Sequence, residues 1–274
     1  MVLENGNPVI ATYDTENMNG EGNGRTNFNE IDALSGEVVG RYDSDEFYGY
    51  IPIIPSEGFT LPEGADILYL DGTDIYSYSF KYDEFTKVAD FENQPVSYGN
   101  ISCGLGKGSE IFFASYVEED SQNGCGIYVV DKEGNTVTRQ ILSENMQIFG
   151  HDKDTDGNIC FVCRSYNDDA KEGEPEYTLT VEKFDKSWKK VGSVELKSEP
   201  EDWYECSLLM KDNGNIVVSN FNSVVSFDSN GKQISSISVG DDSRIFGVFT
   251  SKGEDYVISE NYVSTLTSLQ RADY

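Results

Sequence analysis

Residues 212–221 read DNGNIVVSNF: a polar turn that closes on Gly214 and Asn215, then a run of apolar and small residues. The same pattern recurs along the chain. A Gly followed within two residues by Asn, Asp or Glu, and then by an apolar run, stands at GNPVIA (6–11), GADILYL (64–70), GSEIFFA (108–114), GNICFV (157–162), GNIVVS (214–219) and GEDYVIS (253–259). The polar anchors Asn7, Asp66, Glu110, Asn158, Asn215 and Asp255 are separated by 59, 44, 48, 57 and 40 residues. Self-similarity at such a period is the signature of one supersecondary unit repeated in tandem.

A second marker keeps step with the first. IDALSGEVV, YDEFTKVA, VDKEGNTVT, FDKSWKKVG and FDSNGKQIS place Asp32, Asp83, Asp131, Asp185 and Asp228 after the first five anchors. An Asp at the first position of a turn can accept hydrogen bonds from the backbone two residues on, and a nearby Gly supplies the positive φ. Between the markers lie runs such as IVVSNF, SVVSFD, EIFFASYV and YTLTVEKFD, rich in Val, Ile, Phe, Tyr and Thr, many of them alternating apolar with polar. No segment sustains a helical period over about 10 residues. Each repeat therefore predicts four strands, one on either side of the Gly turn and one on either side of the Asp turn. The fifth shows them most plainly: WYECSLLMK (203–211), NIVVSN (215–220), SVVSFD (223–228) and KQISSISV (232–239).

Four-stranded units of this length predict an all-β fold, a β-propeller with about six blades in view. A β-sandwich would also show short strands, but it gives no reason for so long a period. One domain, 1–274, is expected, with approximate blades 1–43, 44–92, 93–143, 144–198, 199–241 and 242–274. The first blade has only a stub for its innermost strand. The sixth stops where an Asp turn and a fourth strand should follow, so the six units either close imperfectly or, the favoured reading, are a piece of a longer protein.

Charge narrows the function. With 49 acidic against 20 basic residues in 274, the net charge is −29. Such a surface repels phosphate backbones and anionic headgroups, which disfavours nucleic acid as a partner. No apolar run approaches the roughly 20 residues that span a bilayer, so membrane insertion is not expected, and no signal-peptide pattern opens the chain. A monomer is expected. The five cysteines suggest no disulfide framework. Cys160 and Cys163 form a C-x-x-C inside NICFVCRS, which reads as a strand. Residues three apart on a strand face opposite ways, so the two cannot share a metal or a redox bond and read as buried structural thiols.

The stretch HDKDTDGNICF (151–161) alternates Asp152, Asp154 and Asp156 before Gly157, as a calcium loop begins. A full EF-hand needs Glu at the twelfth position, which here is Cys163. DTDGN also falls where KDNGN does in the next unit, so turn chemistry accounts for most of its acidity. Ca2+ through these three aspartates is the only metal site considered, and no other cofactor is expected. His151, the single histidine, reads as capping a local hydrogen bond.

A propeller places its second-to-third strand loops and the starts of its innermost strands on one face. The anchor-to-Asp distances of 25, 17, 21, 27 and 13 residues predict extended loops in units one, three and four: DTENMNGEGNGRTN, EEDSQNGCG and NDDAKEGEPE. Loops on a rigid scaffold are where function concentrates. Tyr48, Tyr50, Tyr98, Phe149, Trp203 and Tyr204, with Asp202, gather at the inner-strand starts and form the candidate ligand-binding set. Aromatic faces beside carboxylates suit sugar rings or a peptide anchor, and packing between blades is the competing use. No G-x-S-x-G, G-x-x-x-x-G-K or H-E-x-x-H motif is present. The expectation is a non-catalytic propeller that binds a glycan or a protein. A lyase or glycosidase using a carboxylate pair is the alternative, and a structural spacer is the third reading.

GNIVVSNFNSVVSFDSNGKQISSI (214–237) and GIYVVDKEGNTVTRQI (126–141) resemble the degenerate bacterial propellers related to the NHL, YVTN and quinoprotein-like repeat groups. The resemblance implies a bacterial exported or cell-surface protein. The tryptophan docking motifs of quinoprotein enzymes are missing, so it implies no quinone cofactor.

Overall fold

The computed structural model describes residues 7–14, 25–32, 34–48, 51–53, 64–71, 74–80, 82, 84–90, 102–105, 110–119, 122–131, 136–143, 145–167, 170–171, 176–197, 206–238, 245–251, 254–259 and 262–265. Every regular element among them is a strand. Sheet one holds β1 (Val9–Asp14), β2 (Arg25–Ile31) and β3 (Val38–Tyr48); sheet two holds β4 (Ile51–Ile53), β5 (Ile67–Asp71), β6 (Asp74–Ser79) and β7 (Glu84–Asp90). Sheet three holds β8 (Ser102–Leu105), β9 (Ile111–Glu119), β10 (Gln122–Val130) and β11 (Thr136–Ser143). Sheet four holds β12 (Met146–Lys153), β13 (Ile159–Tyr166), β14 (Tyr177–Phe184) and β15 (Lys190–Leu196). Sheet five holds β16 (Ser207–Met210), β17 (Ile216–Ser219), β18 (Ser223–Phe227) and β19 (Gln233–Ser238). Sheet six holds β20 (Ile245–Ser251), β21 (Glu254–Ser259) and β22 (Tyr262–Thr265). Each sheet is a meander in chain order.

The chain divides into two compact units. One comprises Met1–Gln94, Cys103–Ile111 and Val130–Asn135; the other comprises Pro95–Ser102, Phe112–Val129 and Thr136–Tyr274. Sheets one and two belong to the first, and sheets four, five and six to the second.

The two sequence markers are one device used twice. In the Gly turn between β12 and β13, Asp154 Oδ1 accepts the N–H of Asp156 (3.1 Å) and of Asn158 (2.9 Å). In the Asp turn between β14 and β15, Asp185 Oδ1 takes Ser187 N–H (2.8 Å) and Lys189 N–H (3.0 Å). Asp228, between β18 and β19, does the same with Asn230 (2.9 Å) and Lys232 (3.0 Å). In all three a second bond runs from the residue three later back to the Asp carbonyl, from Gly157, Trp188 and Gly231. That third residue has positive φ: 76° at Gly157, 60° at Trp188 and 78° at Gly231.

Trp188 is the exception that glycine would avoid. The left-handed backbone costs an L-residue about 1–2 kcal/mol. The indole offsets this by burial: it is 3% exposed and packs 5.2 Å from Phe112, centroid to centroid. The Gln140 side-chain amide donates to the Trp188 carbonyl, which ties the turn to β11. At Gly231 no such exchange is open. A Cβ there would stand 1.9 Å from the Glu195 carbonyl oxygen, because the end of sheet four crosses this turn and Lys197 N–H donates to Gly231 O at 2.8 Å.

Period-two alternation then buries both faces of the inner strands. On β13, Cys160 and Val162 face one cluster with Leu179, Val181, Leu208, Val218 and Phe227. Ile159, Phe161 and Cys163 face another with Phe112, Ile127, Phe184 and Trp188. The C-x-x-C sulfurs thus lie in different cores, as the strand reading requires. In the first compact unit Val9, Phe28, Ile67 and Tyr78 form the corresponding cluster between sheets one and two. Buried Glu30 on β2 accepts from Asn7 Nδ2 (2.7 Å) and Tyr42 OH (2.9 Å), so the first polar anchor ties the approach to β1 to β2. Burial, followed by the bond to Glu30, raises the Tyr42 pKa.

One sequence expectation fails. EEDSQNGCG, read as an extended loop, is largely strand: β9 runs to Glu119 and β10 starts at Gln122. Cys125 is 2% exposed within the core, so apolar burial wins over the polar composition of the segment.

Replacing Trp188 with Gly relieves the left-handed strain but removes an indole whose truncation costs ~3–5 kcal/mol. The net is expected to be destabilising by about 1–4 kcal/mol in urea titration. Gly231→Ala, with no relief to offset the clash, is expected to cost ~3 kcal/mol or more.

Candidate functional site

β13 breaks its own pattern near its end. The face that presents Cys160 and Val162 continues with Arg164, which is 4% exposed, and then Tyr166, which is 41% exposed. A charged side chain in that row needs partners, since an isolated buried cation is costly. Register supplies them. Arg164 lies opposite Gln147 on β12 and Leu179 on β14, and Tyr166 lies opposite Tyr177. The Arg164 guanidinium donates through Nη2 to Gln147 Oε1 at 2.7 Å and to Tyr166 OH. Its carbon sits 5.1 Å from the Phe149 ring centroid, 4.7 Å from Tyr166 and 5.6 Å from Tyr177. Cations held over aromatic faces at these distances are attracted by the ring quadrupoles, most strongly where water is excluded.

Phe149 reaches this group because β12 bulges. Ile148 pairs with Cys163 and Gly150 with Val162, leaving Phe149 as the extra residue. Gly150 then lets β12 approach β16: a Cβ there would stand 2.8 Å from the Cys206 carbonyl oxygen. The same Ile-Phe-Gly triplet recurs at 245–247, where β20 shows a register shift between Ile245 and Gly247. Bulges re-aim side chains and concentrate beside functional sites. The cluster occupies the end of sheet four where β12 begins, β13 ends and the NDDAKEGEPE loop departs. Asn167 N–H donates to Glu176 O across the base of that loop. Phe221, 47% exposed, stands in the corresponding link between β17 and β18.

Of the residues singled out by sequence, Phe149 lies in this cluster. Tyr48 ends β3, opposite Arg25, and does not open an inner strand. Tyr50, Tyr98, Asp202, Trp203 and Tyr204 lie outside the described residues. Gln147, Arg164, Tyr166 and Tyr177 were not singled out; the signal was a lone Arg inside an alternating apolar run.

The three aspartates of the calcium-like stretch diverge. Asp152 Oδ2 accepts Met210 N–H at 2.6 Å and so joins β12 to β16. Asp154 holds its turn, with Lys183 Nζ 3.5 Å away, and Asp156 is exposed. Among the described residues no three His, Cys, Asp or Glu side chains gather to hold a metal ion. His151 packs edge-on against Phe112 at 4.9 Å and tilted against Phe161 at 6.2 Å, so its ring contributes to the core. Burial, aided by Lys153, lowers its pKa to about 4. Burial raises Asp152 to about 6, against the lowering effect of the Met210 bond. Burial likewise pushes the Cys125, Cys160 and Cys206 thiols up to about 12, and Cys163 well above its ordinary value.

No protein-family model matches the chain, and no curated protein matches its sequence. Among solved structures, regucalcin from Agrobacterium tumefaciens str. C58, described as a calcium-binding protein, is similar with a TM-score of 0.55 at 11% identity, over 95% of this chain and 84% of that one. The Nup133 β-propeller domain of Vanderwaltozyma polyspora gives 0.47 at 11% identity, over 94% and 83%. A protein of unknown function from Bacteroides caccae gives 0.49 at 14% identity, over 71% and 68%. The chain is an all-β protein with the β-propeller fold.

Two predictions follow from the titrating groups. Native protein should leave Cys125, Cys160, Cys163 and Cys206 unlabelled by a disulfide reagent until denaturant is added, because only the thiolate reacts. For pH, Asp152 is held above its unfolded value, so its contribution to stability is present at low pH and lost as pH rises through about 6. His151 is held below its unfolded 6.5, so its contribution is present above that and lost as pH falls toward about 4. Asp152→Asn should gain stability relative to the wild type from pH 4 to 7, and His151→Gln should gain as pH falls from 6.5 to 4. Urea midpoints across a pH series read both.

Proposed function

We propose that the chain is a non-catalytic binding propeller of an exported or surface protein, of bacterial origin, which recognises a glycan or a protein through the sheet ends where the long loops leave. The observation that carries this reading is the Arg164 cluster: a buried cation clasped by three rings at the foot of a ten-residue loop. Rigid aromatic anchors beside a few oriented polar groups are what binding pockets and interface hot spots use. Five acid–base groups among the described residues of the second compact unit support it too: His151 packs against Phe112 and Phe161, and Asp152, Asp154, Asp185 and Asp228 each hold backbone N–H groups. Calcium, named for the Agrobacterium neighbour, has no part in this reading, because Asp152 and Asp154 are committed to separate partners. The protein acts as a monomer, and its ligand is met outside the cell.

The test is binding without turnover. The purified chain is titrated against immobilised polysaccharides and cell-surface proteins, and the bound polysaccharides are then assayed for new reducing ends and for unsaturated uronate absorbance. Retention of a ligand with neither product is the expected result. Appearance of either product would make the chain a glycosidase or a lyase and overturn the proposal, and retention of no ligand would leave a structural spacer.

A further inference from the structure

Resting on that reading, we infer that Tyr166 is a saccharide-stacking platform and that the ligand class is a neutral oligosaccharide, its ring laid on the tyrosine and its edge hydroxyls read by Gln147. Three observations converge. First, Tyr166 keeps 41% of its surface open although it ends a strand whose seven preceding residues but one are buried. Second, its ring is fixed from behind and at its tip. The Arg164 guanidinium lies 4.7 Å from the ring centroid and donates to the phenolic oxygen, and Gln147 Oε1 is 3.5 Å from the same oxygen. A tyrosine already held in one orientation loses little conformational entropy on binding, which is where much affinity otherwise goes. Third, the bulge at Phe149 and the cross-strand partner Tyr177 wall the guanidinium in, so the cation supports the ring and is itself only 4% exposed.

Sugar rings carry C–H bonds on one face and hydroxyls at the edge, which matches an open aromatic face beside a side-chain amide. Gln147 spends its carbonyl oxygen on Arg164, and its amide nitrogen carries the two N–H donors that a hydroxyl can accept. Charge selects among sugars. The guanidinium is taken up by Gln147, Tyr166 and the rings, and the whole chain carries −29, so an acidic sugar meets net repulsion.

Cellohexaose, xylohexaose, mannohexaose and N-acetylchitohexaose serve as probes, with trigalacturonate as the acidic arm, in saturation-transfer NMR and calorimetry on the whole chain. At least one neutral hexasaccharide should bind, Tyr166→Ala should weaken it about tenfold or more, and Tyr166→Phe should stay within about threefold. Tyr82→Ala, at an exposed tyrosine in the other compact unit, should leave affinity unchanged; Tyr166→Ala and Tyr166→Phe, which take a partner from buried Arg164, should lower the thermal midpoint yet remain folded at the binding temperature by circular dichroism. The inference is overturned if no neutral probe binds at about 5 mM, if trigalacturonate binds better, or if Tyr166→Ala binds as the wild type does. A neutral sugar or a protein that binds regardless of Tyr166 would sink the platform and leave the binding propeller standing. Hydrolysis of a probe would sink the proposed function, whatever Tyr166 does.

Discussion

A carboxylate oxygen that takes two backbone N–H groups of its own turn is the contact on which the rest of this structure depends. Asp154, Asp185 and Asp228 each do this at 2.8–3.1 Å, and Asp32 takes Leu34 and Ser35 N–H in a turn one residue longer. The bond fixes how many residues a hairpin spends in its turn. That number sets the phase of the following strand, and a slip of one residue would send every side chain to the opposite face. Here both faces are buried, so the penalty for a slip is large on either side.

The same constraint decides what can be functional. With Cys160 in one core and Cys163 in another, and His151 edge-on to Phe112, these three side chains of β12 and β13 are engaged in packing. At the tight-turn ends Asp154 and Asp255 pair with Lys183 and Lys211. The other end of sheet four is different. There the alternation on β13 passes from Cys160 and Val162 to Arg164 and Tyr166, and the strand exchanges core packing for a clasped cation and an open ring.

The period, the four-strand unit and the opposed thiols were legible from residue order, because each depends only on neighbours two to four positions apart. The Asp-rich stretch was also legible as a turn once DTDGN was set beside KDNGN. The hairpin at EEDSQNGCG was not. Its glycines and acids read as loop, yet pairing of β9 with β10 and the burial of Cys125 extend it as strand. Trp188 in a glycine's conformation was equally hidden, since the compensating contact comes from Phe112, distant in sequence and near only in the fold. The triplet Ile-Phe-Gly, present twice, was the overlooked trace of the bulge.

By itself, then, the sequence determined the local hydrogen bonding: where turns close, which residues alternate, and how long a unit is. Only the tertiary structure decided which side chains meet. Gln147 and Arg164 are 17 residues apart, and Arg164 and Tyr177 are 13 apart. Strand register brings them together, and the bulge at Phe149 turns a third ring onto the same guanidinium. Turn chemistry is short-ranged and can be read along the chain, whereas the clasp around Arg164 exists only after three strands have paired.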